Sequence, residues 1–460
     1  MRKNVSLALL IPLGMATAAV GGLALPALAA ELEPKLSFEK YELPNGLEVI
    51  LSQDPSLPLV NVDIWYHVGA SNETTGRSGF AHLFEHIMFQ GSRNVAEDTF
   101  FKYLEAAGAP MVNGTTDFDR TNYFETVPSN QLELALWLES DRMGFLLDTL
   151  TQERLDNQKA VVRKERQQSM ENVPYGVAEE RFYQALYPAP HPYNGVVIGS
   201  HADLEAATLE DVKAFFRTYY APNNATMAIV GDFDPATIKQ TIARYFGSIP
   251  RAADPRPPVV APAVHSAETR LALTDEVELS KVYLGWVTAN AFQPGDAELT
   301  LAAMILAGDK SSRLDKALLL DQQIASEVNA SQYPLTYGSA FTVTVQGRPG
   351  QTADALEKAT LPLLEAIRTT PVTKEELARA LRQWQAATLR GLESLGGFGG
   401  RAEFFNYYNH HLGDPDYLSK DFARFAAVTP EAILRATQQF LKPEARVVVH
   451  VAPVAPGGAK

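Results

Sequence analysis

A fifteen-residue segment near the middle of the chain, Pro250–Val264, contains five prolines: Pro250, Pro255, Pro257, Pro258 and Pro262. Proline fixes φ and gives up a backbone donor, so this density rules out a helix or an interior strand and reads as an extended spacer. It separates residues 30–249 from residues 265–460, and each side is long enough to bury a core of its own. The two sides also share a pattern. Thr208-Leu209-Glu210 opens a helical stretch that runs to Pro222 and then the strand-like Ala225–Val230. Thr429-Pro430-Glu431 opens another, running to Pro443 and then the strand-like Arg446–Val451. The interval from Thr to Pro is 14 residues in both. Threonine as N-cap, followed by Glu or Pro in the first turn, is good chemistry for starting a helix. The expectation is a duplication: two homologous units joined by a Pro-rich linker.

Within the first unit both periodicities occur. Val60, Val62, Ile64, Tyr66 and Val68 alternate with Asn61, Asp63, Trp65 and His67, the period of a strand. Helical blocks follow at Gly79–Gln90 and Glu97–Ala107, then a strand-like Phe118–Val127 and long helical stretches at Gln131–Leu147 and Gln152–Gln168. Without a strict alternation of strand and helix, each unit reads as α+β.

Composition limits the chemistry. The 460 residues carry a net charge of −14, which leaves no basic excess for phosphate backbones and argues against nucleic acid as a partner. There is no cysteine, so disulfides, thiol catalysis and thiolate metal sites are excluded, and any metal must be held by His, Asp or Glu. At the N-terminus Arg2 and Lys3 precede an uncharged run, Asn4–Ala30, with an apolar stretch at Val5–Leu13 and the small-x-small pattern Ala27-Leu28-Ala29. Residues 1–29 are therefore expected to be a cleaved signal peptide, leaving no membrane span and a periplasmic chain. The other reading of the run, a retained membrane anchor, is opposed by Pro12, Gly14, Gly21, Gly22 and Pro26 within it.

The segment Ser78–Phe89 carries the chemistry. His82 and His86 stand four apart, so a helix places both on one face with Glu85 beside them. Two imidazoles and a carboxylate are what a hydrolytic zinc site needs. The other positions (Phe80, Ala81, Leu83, Phe84, Ile87, Met88, Phe89) are apolar, so the helix should be buried, and three polar side chains in a buried turn need partners. Nine histidines in a chain of this length give about 0.01 such patterns by chance. The bland alternative is a core histidine pair hydrogen-bonded to Glu85. A third ligand comes from the helix around 155–168, where Gln158, Val161, Val162 and Glu165 form one stripe. Glu165 is the carboxylate at its end, and its alternative is a surface acid paired with a neighbouring Arg or Lys.

His-x-x-Glu-His is the inverted zincin motif. Around it the chain resembles the pitrilysin/insulinase family of zinc metallopeptidases, especially the short-chain branch that includes mitochondrial processing peptidase. The matching stretches are Leu43–Leu47, Gly79–Gly91, Asn113-Gly114-Thr115-Thr116, Val161–Glu165, His191-Pro192-Tyr193 and Tyr220–Asp232. The resemblance implies Zn2+ held by His82, His86 and Glu165, with Glu85 as general base in peptide hydrolysis. It implies strand addition of an extended peptide substrate over Asn113–Tyr123, with Asn113 and Thr115 as candidate contacts. The alternative for this Asn-Gly-Thr-Thr stretch is a simple turn.

Two positions depart from the family. Where the family often has a glutamate two turns before the metal-binding glutamate, this chain has Gln158, which can still orient a ligand but adds no charge. The family's substrate-reaching Arg and Tyr, seven apart in the second half, align through Ser311-Ser312-Arg313-Leu314 with Leu319 and Ser326. Arg401 and Tyr408 have the same spacing but come too late in the unit. The expectation is a zinc subunit of a heterodimer whose homologous partner supplies the Arg/Tyr pair. A homodimer or a self-sufficient monomer stays open. So do two other classes: a catalytically silent assembly subunit and a periplasmic peptide-binding module. The Gly396–Gly400 run lacks the context of a phosphate loop and reads as a hinge or turn, and Phe404–Tyr408 reads as core or interface.

Overall fold

The computed structural model describes residues 34–454, and the expected signal peptide lies outside them. Two sheets flank the Pro-rich segment. The first comprises β1 (Glu39–Glu42), β2 (Glu48–Gln53), β3 (Leu59–Tyr66), β4 (Met111–Thr116), β5 (Thr121–Pro128) and β6 (Ala225–Gly231), in the order β1-β2-β6-β3-β5-β4. The second comprises β7 (Thr269–Asp275), β8 (Lys281–Thr288), β9 (Ala325–Tyr333), β10 (Ser339–Gly347) and β11 (Val447–Pro453), in the order β7-β11-β8-β10-β9. Leaving out β1, the two orders are the same. β2 runs parallel to β6 as β7 runs parallel to β11, and every other neighbouring pair is antiparallel. The architecture is two α+β halves of one topology.

The shared pattern in the sequence is the return path into each sheet. Thr208 Oγ1 accepts from Asp211 N at 3.2 Å and Thr429 Oγ1 from Ala432 N at 3.2 Å, so both threonines cap the helices they open. Pro222 and Pro443 then each start a single tight turn that feeds β6 and β11. Residues 250–264 lie in no helix or strand. Among the described residues no helix is long and apolar enough to cross a membrane.

Each half covers the other. On β3 the apolar residues Val60, Val62, Ile64 and Tyr66 face their own helices, while Asn61, Asp63 and Trp65, which alternate with them, are buried as well. The helix Arg401–Leu412, from the second half, lies over β3 and β6. Asn406 Nδ2 donates to Asp63 O at 3.0 Å, Trp65 Nε1 to Glu403 Oε2 at 3.3 Å, and Asn409 Nδ2 to Glu48 Oε2 at 2.6 Å. Reciprocally, the helix Gly176–Leu186 of the first half packs on β8 and β11. Phe182 lies so close to Gly285 of β8 that a Cβ there would sit 2.3 Å from its Cζ. The polar face of β3 is thus not a solvent face: a helix of the second half covers it and supplies hydrogen bonds to part of it, while Asn61 Oδ1 and Asp63 Oδ2 are buried without a hydrogen-bond partner.

Candidate metal centre

The motif folds as the helix Phe80–Ile87, with Phe80, Ala81, Leu83, Phe84 and Ile87 buried in the first core. Its end at Ile87 is earlier than the expected Gln90, as Phe89 N and Gln90 N turn back to His86 O and Ile87 O. The helix starts at Gly79, whose φ of 86° and approach to Ile198 O (2.6 Å from a built Cβ) leave no room for a side chain. Glu73 satisfies its first amides, accepting from Gly79 N at 3.0 Å and Ala81 N at 2.8 Å. Burial pushes the Glu73 carboxyl up to about 8.

Glu165 ends the helix Gln152–Arg166, which Thr151 caps. Beyond it the chain widens into a looser π-helical stretch over Gln167–Glu171, so the regular α-helix ends before the expected Gln168 while the helical run continues past it. Arg166, the next residue, is buried and ties the helix end to Gly199 O (2.6 Å), Glu180 Oε2 (2.6 Å) and Glu171 Oε1 (3.2 Å).

These two helices bring His82, His86 and Glu165 together. His82 Nε2 is 3.6 Å from Glu165 Oε1, and His86 Nε2 is 3.0 Å from Glu165 Oε2. One ligand atom from each residue lies within 4.8 Å of the others, and among the described residues this is the one group of three that does so. No Lys or Arg pairs with Glu165 among the described residues; the two imidazoles face its carboxylate. Burial holds His82 down at about 4, with the neighbouring His86 acting the same way, so its imidazole is neutral at ordinary pH. The hydrogen bond from His86 lowers Glu165 below the usual carboxylate range. Two imidazoles and an ionised carboxylate converging on one point form a donor set that suits Zn2+.

Glu85 faces β4. Thr116 Oγ1 donates to Glu85 Oε2 at 2.7 Å, and a Cβ on Gly114 would lie 3.1 Å from Glu85 Cγ. Burial raises the Glu85 carboxyl above its ordinary value, against the hydrogen bond from Thr116. β4 is the edge of its sheet, paired on one side with β5. The Asn-Gly-Thr-Thr stretch is therefore strand and not turn. Strand alternation places Gly114 and Thr116 against Glu85, and Asn113 and Thr115 on the opposite face. Thr115 is engaged there, its hydroxyl donating to Asn122 Oδ1 at 2.5 Å and its carbonyl accepting from Arg120 at 3.1 Å. Asn113 Oδ1 accepts from Gly114 N at 2.9 Å. Gln158 is buried and makes no hydrogen bond to His82, His86 or Glu165 among the described residues. Thr116 and Glu73 were not picked out by sequence; for Thr116 the only available signal was the parity of the strand once Gly114 is set against the helix.

The remaining positions have structural partners. Ser326 lies on β9 and donates to Gly347 O at 3.0 Å, and Leu319 falls in the segment Asp315–Asp321. Arg401 pairs with Asp54 at 2.6 Å and Tyr408 with Asp421 at 3.0 Å. His191 Nε2 meets Tyr337 O at 3.2 Å.

Two family models match successive parts of the chain: insulinase (peptidase family M16) over residues 48–192, and the peptidase M16 inactive domain over residues 206–384. The chain is 29% identical over 438 residues to the zinc protease PqqE of Helicobacter pylori, covering 93% of this chain and 96% of that one. A crystal structure of a protease from Helicobacter pylori superposes with a TM-score of 0.85 at 27% identity, over 91% of this chain and 100% of that one. The periplasmic protease PqqL from Escherichia coli superposes with a TM-score of 0.73 at 17% identity, over 91% of this chain but 48% of that one. With one model of the family over the motif-bearing residues and a second running from the end of the first half into the second half, the chain belongs to the insulinase family of peptidases, family M16.

Proposed function

We propose that this chain is a zinc endopeptidase or oligopeptidase that hydrolyses extended or unfolded peptides. The observation that carries the reading is the convergence of His82, His86 and Glu165 beside Glu85 and an open strand edge. His82, His86 and Glu165 hold Zn2+, which when bound supplies Lewis acidity to activate a water near neutral pH and polarise a carbonyl. Glu85 takes a proton from the attacking water and returns it to the leaving amine. β4 receives the peptide by main-chain pairing, which gives affinity with little sequence preference.

The chain acts as one half of a heterodimer. Leu319 and Ser326 cannot replace an Arg and a Tyr, and the match to the Escherichia coli protease spans less than half of that longer chain. Residues 1–29 direct export and are removed; residues 30–249 form the zinc-binding unit and residues 265–460 its non-catalytic copy, joined by 250–264. The periplasmic assignment rests on that N-terminus, and the structurally similar PqqL of Escherichia coli is a periplasmic protease.

The test is hydrolysis of an internally quenched, unstructured peptide by the purified chain with zinc supplied. Cleavage that Glu85→Gln abolishes while zinc is retained supports the assignment; cleavage that survives it overturns it. A folded, zinc-loaded chain that cleaves only when a homologous partner is added supports the heterodimer, and equal cleavage by the chain alone removes it. The absent Arg/Tyr pair favours one second reading, a silent assembly subunit, for which the outcome is bound zinc and no hydrolysis in any combination.

A further inference from the structure

The glycine-rich run Gly396–Gly400 belongs to the second half but lies on the first half's sheet, on the face away from Glu85. A Cβ on Gly396 would come within 1.9 Å of Asn61 Oδ1, so this residue is pressed against β3. A Cβ on Gly397 would touch Met111 of β4 at 3.7 Å. Phe398, at the tip, stands edge-on to Phe124 with ring centroids 5.2 Å apart and an interplanar angle of 80°. Phe124 pairs in register with Asn113, so Phe398 sits above the strand pair that forms the sheet edge. Phe398 is 68% exposed and Met111 38% exposed. Two large apolar side chains on opposite halves thus face water together beside an unpaired strand edge.

We propose that Phe398 and Met111 form an apolar subsite that selects a large aliphatic or aromatic side chain in the peptide lying along β4. This rests on the reading that β4 receives the substrate. A strand added to β4 alternates its side chains between two faces. One set meets Gly114, Thr116 and Glu85; the other points to the Met111 and Phe398 side. Met111 supplies the floor of the subsite from the edge strand itself, and Phe398 its wall. Phe398 is flanked by Gly397 and Gly399, both at positive φ, so the ring is carried on backbone that other residues would strain to adopt. The subsite takes a part from each half, so the bound peptide would bridge them. The first turn of the exchanged helix Arg401–Leu412 follows directly and anchors the loop through the Arg401–Asp54 ion pair.

The test uses two short fluorescein-labelled peptides, one with leucine at alternate positions among serines and its all-serine counterpart. Binding is measured by anisotropy to zinc-loaded Glu85→Gln and to Glu85→Gln carrying Phe398→Ala, Phe398→Leu or Met111→Ser. Expected is tighter binding of the leucine peptide to Glu85→Gln, a leucine-to-serine ratio that falls about tenfold with Phe398→Ala or Met111→Ser, and a ratio kept by Phe398→Leu. A ratio unchanged by Phe398→Ala, or no preference for leucine at all, overturns the subsite. Cleavage of the same peptides by the chain with Glu85 intact is read separately. Selective binding without cleavage, either alone or with a homologous partner added, leaves the subsite standing and overturns the peptidase reading, whereas cleavage with an unaltered ratio does the reverse.

Discussion

Thr116 Oγ1 donates to Glu85 Oε2 at 2.7 Å, so the edge strand of the sheet also holds the candidate base. A hydrogen bond to a charged group contributes about 1.5–3 kcal/mol, and its loss leaves Glu85 free to leave the position from which it reaches a water. Thr116→Val is expected to lower kcat/KM by about 10–100-fold, with most of the loss in kcat, and Thr116→Ser to restore most of it. Burial raises the Glu85 carboxyl and Thr116 opposes that rise. Without the hydroxyl the acid limb of the rate profile therefore moves to higher pH. A pH–rate series on the three proteins checks both effects.

Zinc that binds the folded chain and not the unfolded one raises the unfolding midpoint. At a hundredfold excess over Kd the gain is about 2.7 kcal/mol. The native chain is expected to show this gain and to lose it to a chelator. Glu165→Gln keeps the shape of the side chain but replaces an ionised ligand by a neutral amide, so zinc should stabilise it at least tenfold less efficiently on the concentration axis. Zinc titrations followed by thermal unfolding, with metal content measured in parallel, read this directly.

The fit of Phe182 against Gly285 is a contact between the halves, and any Cβ at 285 must displace an aromatic ring. Gly285→Ala is expected to destabilise the chain by about 1–3 kcal/mol through overpacking. Phe182→Leu in the same chain should recover part of the loss, although alone it costs stability by leaving space. A double-mutant cycle by denaturant unfolding would show this as a coupling of opposite sign to the single effects. Additive costs would mean that the ring and the glycine do not constrain each other.

Much of the site could be read in advance because its signals are local. His82, Glu85 and His86 share one turn and Glu165 ends the stripe of its own helix, so helical period gives each candidate its face, while the packing that brings the two helices together is not written in either period. The repeated Thr-to-Pro interval likewise reports two copies of one return path into a sheet. What could not be read depends on partners far along the chain. Asn61, Asp63 and Trp65 look like an outward face of β3 until Asn406 arrives from 343 positions away to bond the Asp63 carbonyl. The choice between Thr115 and Thr116 is a matter of parity, and the sequence of an edge strand with mixed residues on both faces does not fix which side meets the helix. Nor does it indicate that a glycine run in the second half would come to rest on β4 and β5 of the first.

His67 and His410 give a pH dependence whose sign is set by burial. His67, just after β3, and His410, on the exchanged helix, meet Nδ1 to Nδ1 at 2.6 Å with rings stacked 4.8 Å apart. One ring must donate and the other accept, so the two cannot both be charged. Burial holds His67 down at about 4, and burial with the neighbouring His67 and His411 takes His410 well below its ordinary value. The Glu48 carboxylate favours protonation of His67, but Lys40 and His411 oppose it. In the unfolded chain both rings titrate near 6.5. Below that pH the unfolded chain takes up protons that the folded chain refuses until about 4, so stability is full above about 6.5 and falls as the pH drops toward 4. The expected loss between pH 7.5 and 5 is about 2 kcal/mol for each ring. Glu73, held at about 8, contributes with the opposite sign, because its folded form keeps a proton that the unfolded carboxylate releases. The informative quantity is therefore the difference between the native chain and His410→Gln, in which Glu73 is unchanged. Denaturant unfolding at several pH values should give a shallower decline for His410→Gln, and parallel curves would remove the histidine pair as its source.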